Sequence, residues 1–85
     1  MAIIEWKRKA IKQLSKIDST QRPKIVKAVK TLEDYHSLHK VKVLNHHQYD
    51  YRLRVGNYRV MFDIIDGTVQ IVMIQEVKKR DESTD

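Results

Sequence analysis

The chain changes its hydrophobic period partway along. Between Ala10 and Leu32 apolar side chains recur every three or four residues, and from Tyr49 onward they recur every second residue. Ile3, Ile4 and Trp6 come first, a short apolar, β-favouring run that predicts a first strand. Ala10, Ile11, Leu14 and Ile17 then follow at helical spacing, with Lys7, Arg8, Lys9, Lys12 and Lys16 on the other side. Asp18, Ser19 and Thr20 offer capping side chains. With Thr20 as N-cap, Pro23 falls in the first turn of a second helix, where its missing N–H matters least. Ile25, Val26, Val29 and Leu32 give that helix an apolar stripe. The pattern predicts a helical hairpin, basic outside and apolar inside.

Residues 37–48 are polar, rich in histidine and without clear period, so they predict a connecting loop, with Val41, Val43 and Leu44 tucked toward the core. Three strands follow, over 49–55, 58–65 and 68–77, joined by hairpin signals at Gly56-Asn57 and Asp66-Gly67. The last strand is apolar on both parities, which suits a central strand buried on both faces. Parity places Leu53, Val55, Val60, Phe62, Ile64, Val69, Ile71 and Met73 on one side, as the surface on which the helices pack. Tyr49, Tyr51 and Tyr58 share that inward parity and read as core aromatics, and Trp6 as an edge residue of the helix–sheet interface. The fold class expected is α+β: N-terminal strand, helical hairpin, then a three-stranded antiparallel meander, with the helices on one face of a twisted antiparallel sheet.

The other face is where chemistry is expected. If the Gly56-Asn57 turn is tight, Val55 opposes Tyr58, so Arg54 lies across from Arg59 and Arg52 across from Met61. Like charges directly opposite each other destabilise a sheet. A stable fold gains little from the arrangement, so a polyanion that neutralises it explains it, phosphate being the obvious choice. The plainer alternative is that the arginines splay into water. If the last strand keeps its parity past Val77, Lys78 and Arg80 join the same face. Glu76 shares parity with Arg59, and a diagonal ion pair is the simplest structural role for either.

Composition narrows the field. Eighty-five residues suit a single domain, 1–85, near the lower range of what one core stabilises without staples, and with no cysteine neither disulfide nor thiolate metal site can help. No apolar run approaches the roughly 20 residues of a membrane span, and the start MAIIEWKRKA lacks the order of a signal peptide, so a cytoplasmic protein is expected. A formal charge of +6 and a pI near 9.7 favour nucleic acid or another acidic partner, and charge alone does not separate the two.

Metal-independent cleavage of an RNA phosphodiester requires three things. A 2′-hydroxyl must be activated, a pentavalent dianionic transition state stabilised, and the departing 5′-oxygen protonated. Arg52, Arg54 and Arg59 suit the middle task, and Arg80 suits contact with the leaving group; phosphate or protein binding without chemistry is the alternative. His36, His39, His46 and His47 cluster in the loop region, but no cysteine or well-spaced carboxylate completes a metal site. Polar loop residues are the simpler reading, with His47 a minor option as general base.

The order of elements, the segment YDYRLRVGNYRVMFDI and the closing QEVKKRDEST resemble the RelE/ParE superfamily of bacterial type II toxins, and within it the RelE-like branch. The resemblance implies a RelE-like microbial RNase fold and a small cytoplasmic toxin that enters the ribosomal A site and cuts mRNA without metal or other cofactor. It implies a cognate antitoxin that neutralises the toxin, in a complex that binds operator DNA through the antitoxin, and no membrane partner. Carried over by position, Arg52 and Arg54 match basic RNA contacts; Lys78, which parity puts on the same face, is read as a further RNA contact. Arg59 matches the arginine that stabilises the transition state, and Arg80, with Lys79 beside it, the one assigned to the leaving group. Family members of this kind commonly place a tyrosine shortly after that arginine. Here the chain reads Ser83-Thr84-Asp85, which leaves three readings open: Asp85 stands at the position of the expected aromatic, the base is another residue, or this member has reduced activity. ParE-like members share the fold but act on DNA gyrase, the main alternative; a non-catalytic basic binding module is the third.

Overall fold

The computed structural model describes residues 2–33 and 41–79. Strand β1 (Ile3–Trp6) leads into helix α1 (Arg8–Ser15), helix α2 (Arg22–Lys30) and a 3-10 turn (Thr31–Glu33). Strands β2 (Val41–Val43), β3 (Tyr51–Val55), β4 (Tyr58–Ile65) and β5 (Ile71–Lys79) complete the fold. They form one five-stranded sheet in the order β1-β5-β4-β3-β2. The α+β layout expected from the sequence is present, with two differences. The sheet is mixed rather than wholly antiparallel, because β1 pairs in parallel with β5, from Ile3 opposite Ile71 to Trp6 opposite Ile74. Val41–Val43, expected as loop, is an edge strand antiparallel to β3.

The helices owe little to their ends. α1 begins with Lys7, Arg8 and Lys9, has no acidic residue in its first turn and no side-chain cap, so the charges at its N-terminal end oppose the helix dipole, while Lys12 in the last turn is a favourable end charge. Packing must therefore hold it, and Ala10 is fully buried. The expected Thr20 cap is not used. Thr20 donates its N–H and hydroxyl to the Asp18 carboxylate, at 3.2 and 2.9 Å, and Gln21 occupies the N-cap position. Asp18 organises the turn, and the paired bonds hold its carboxyl below the usual carboxylate range. Pro23 does fall in the first turn of α2. Ile25, Val29 and Leu32 are buried as the stripe predicts, while Ile11 and Val26 face solvent.

The core sits between the helices and one face of the sheet. Leu53, Val60, Phe62, Val72, Ile74 and Val77 meet Ala10, Ile25, Val29 and Leu32, with Tyr51, Val55, Tyr58, Ile64 and Trp6 packed at its margin. Tyr51 stacks on its cross-strand partner Phe62 with ring centroids 5.4 Å apart. Each fully buried branched or aromatic side chain contributes about 1.5–3 kcal/mol from removal of its surface from water.

The β5 side chains differ from expectation by one position. Asp66-Gly67 does not form a two-residue turn. The last pair before the loop is Ile65 with Ile71, leaving residues 66–70 outside the ladder, and Gln70 Nε2 closes the loop on Asp66 Oδ1. Parity therefore flips: Val72 and Ile74 enter the core, Ile71 and Met73 lie on the opposite face, and Val69 is exposed. A β-bulge then flips it back. Phe62 opposes Ile74 and Met61 opposes Glu76, which leaves Gln75 as the extra residue. The bulge returns Val77 to the core and turns Glu76 and Lys78 to the far face.

Candidate nucleic-acid interface

Gly56 anchors the face. Its φ of 56° is in the left-handed region, and it alone of the two loop residues has a positive φ, the pattern of a II′ turn whose twist matches the flanking strands. The hairpin register that follows is the expected one: Val55 opposes Tyr58, Arg54 opposes Arg59 and Arg52 opposes Met61. Adding the neighbours on either side gives two rows across the sheet. The first runs Arg54, Arg59, Lys78; the second runs Lys42, Arg52, Met61, Glu76. Successive same-face residues along a strand are about 7 Å apart and adjacent strands about 4.8 Å apart, so five cations share an area comparable to a few nucleotides.

Arg54 and Lys78 are exposed, while Arg52 and Arg59 are half-buried. Among the described residues no carboxylate forms an ion pair with Arg52 or Arg54, and Arg52 Nε is buried without a hydrogen-bond partner. Lys79 pairs with Tyr58, which packs against the core, so alternation turns Lys79 to the helix side of the sheet, away from the rows. Arg80 and Asp85 lie outside the described residues, as do His36 and His39. Lys42 was missed in the sequence because its strand is only three residues long within a polar stretch; the Val-Lys-Val alternation at 41–43 was the available signal.

Glu76 is the one buried acidic residue among those described, 4% exposed on a face otherwise rich in cations. Tyr49 donates its hydroxyl to Oε2 at 2.5 Å and Gln13 its amide to Oε1 at 3.2 Å, while Lys9 Nζ lies 3.3 Å and Lys78 Nζ 3.9 Å away. Burial pushes the carboxyl upward, but the hydrogen bonds from Tyr49, Gln13 and Lys9, with the charge of Lys78, outweigh it and hold it below the usual range. Only Lys78 among these partners is foreseeable from strand parity.

Tyr49 is buried, as expected, but not in the helix-side core. β3 starts at Tyr51, so parity does not extend back to residue 49, and the ring crosses the cationic face to Glu76. Its hydroxyl pKa is pushed up to about 12, mainly by the hydrogen bond to Glu76, with burial and the Glu76 and Asp63 charges adding to it. Asp63 ties down the surroundings, accepting the Asp50 N–H at 2.8 Å and the Gln75 amide at 3.0 Å. His47 Nδ1 accepts the Tyr49 N–H at 3.1 Å. A neutral ring then carries its proton on Nε2, a poor arrangement for a general base. Among the described residues no three His, Cys, Asp or Glu side chains converge as a metal site. A groove lined by Ile3, Ile4, Trp6, Val26, Val29, Lys30 and Glu33 lies by β1 and α2, away from the two rows.

Comparisons with known proteins agree with this architecture. The family model described as the ParE toxin of the type II toxin–antitoxin system parDE matches residues 4–83. No curated protein sequence matches. Among solved structures, the toxin–antitoxin complex RelBE2 of Mycobacterium tuberculosis is 21% identical with a TM-score of 0.75, covering 93% of this chain and 98% of that one. The archaeal RelE–RelB complex of Pyrococcus horikoshii is 20% identical with a TM-score of 0.75, covering 96% and 98%. The isolated RelE toxin of Escherichia coli is 24% identical with a TM-score of 0.74, covering 99% and 89%. These likenesses establish the fold, and a family match spanning nearly the whole sequence establishes membership: the chain belongs to the RelE/ParE superfamily, as a toxin of a type II toxin–antitoxin system.

Proposed function

We propose that this toxin is a ribosome-dependent endoribonuclease that cuts mRNA in the A site without metal. The observation that carries the reading is the row of Arg54, Arg59 and Lys78, set beside Lys42 and Arg52 on a sheet face where Arg52 and Arg54 have no paired carboxylate among the described residues. Such a face matches the charge of an RNA backbone, and closely set cations offset the charge that develops when a 2′-oxygen attacks phosphorus. Arg59, between Arg54 and Lys78, takes the transition-state role, and Arg52 and Arg54 position the backbone. Arg80 contacts the departing 5′-oxygen. Lys79 stands next to it in sequence. The antitoxin is the product of a neighbouring gene, an acidic or amphipathic chain that shields the cations, and it carries the complex to operator DNA.

A second reading is inhibition of DNA gyrase, favoured by the ParE name of the matched family model. Translating ribosomes incubated with the toxin, followed by mapping of new mRNA 5′-ends, and a parallel supercoiling assay separate the two. New 5′-ends within A-site codons support the nuclease; their absence together with lost supercoiling supports the gyrase reading.

A further inference from the structure

The cationic face does not stop at the edge of the sheet. β1 pairs with β5 only as far as Ile74, and beyond that point α1 covers the β5 edge. Gln13 makes the junction: its Oε1 accepts the Val77 N–H at 2.7 Å, and its Nε2 donates to Glu76. One helical turn earlier, on the same side of α1, Lys9 reaches the same carboxylate. Lys9 and Lys78, from different elements, therefore converge on Glu76, two positive charges about one negative. An ammonium has three donors, and Glu76 engages one of those on Lys9, whose side chain remains 64% exposed.

Building on the RNA-binding reading above, we propose that Lys9 is a phosphate-binding residue of the toxin, positioned by Glu76, so that the track for single-stranded RNA turns over the β5 edge onto α1. Glu76 acts as a clamp. It spends one charge to fix two lysines where a strand crossing the Arg54–Arg59–Lys78 row leaves the sheet. A Lys9 that served only to neutralise Glu76 would contribute nothing to the counterions released on binding.

The test is the salt dependence of binding of a fluorescently labelled, mixed-sequence single-stranded oligoribonucleotide to the intact toxin, followed by anisotropy. Removing one lysine–phosphate interaction should lower the slope of log K against log salt by about 0.7. The slope should fall by about that amount in Lys9→Ala and equally in Lys9→Gln, which keeps a donor for Glu76. It should be retained in Lys9→Arg, and in Lys27→Ala on the solvent side of α2. An unchanged slope in both Lys9→Ala and Lys9→Gln, with a reduced slope in Arg52→Ala, overturns the role of Lys9 and leaves the RNA-binding reading standing. Wild-type toxin that shows no salt-dependent binding overturns both.

Discussion

Arg59 sits at the centre of a cross-strand row, with Arg54 on one side and Lys78 on the other. Three cations so arranged repel one another, and this position gains most from charge appearing during a reaction. Arg59→Ala should slow mRNA cleavage by a factor on the order of 10² to 10³ while circular dichroism shows the fold retained; cleavage unchanged in the folded variant would refute its assignment. The placement of Arg52, Arg54 and Arg59 was legible in the sequence because one glycine and strict alternation fix it. The setting of Glu76 was not. Its partners come from α1, from the loop before β3 and from its own strand, and no local pattern encodes contacts across 63 or 27 residues of sequence.

At the scale of elements, the two hairpins show what makes a register readable. In the β3–β4 hairpin the turn residue, the alternation and the pairing agree, so every pair was foreseeable. In β4–β5 a five-residue loop and a bulge each shift parity by one, and the near-continuous apolar run of β5 gives no period by which to detect either. The two shifts cancel beyond Gln75, which is why Val77 and Lys78 lie where simple parity put them although Ile71 and Met73 do not. The glycines make the contrast measurable. At Gly56 a Cβ meets nothing within 4 Å, but the φ of 56° strains any other residue there. At Gly67 the nearest atom to a Cβ would be the Val69 carbonyl oxygen at 3.7 Å, an ordinary contact. Gly56→Ala should therefore lower stability in urea by about 1–2 kcal/mol, and Gly67→Ala by much less. Equal effects would mean that the Gly56 turn does not set the register.

For the whole molecule, the face that carries five cations is also where the fold depends on pH. Glu76 is surrounded by the Tyr49 hydroxyl, the Gln13 amide, Lys9 and Lys78, all of which favour the carboxylate form. Its folded pKa is lowered, so its contribution is present above the ordinary carboxylate range and disappears as pH falls through that range and below. Tyr49 has the opposite sign. Its folded pKa is raised to about 12, so its contribution is intact below the ordinary tyrosine pKa of about 10 and is lost as pH rises toward 12. One hydrogen bond thus limits the fold at both ends. Tyr49→Phe should be less stable than the native chain by about 1.5–3 kcal/mol at neutral pH, the usual value of a hydrogen bond to a charged group. The deficit should narrow as pH rises from 10 to 12, where the native chain loses what the variant never had. Denaturant melts of the two proteins across pH 3–12 measure this difference directly. A deficit that stays constant up to pH 12 would mean that the Tyr49 hydroxyl does not hold Glu76 in solution, and that Gln13 and the two lysines suffice to keep a buried carboxylate beneath the cationic face.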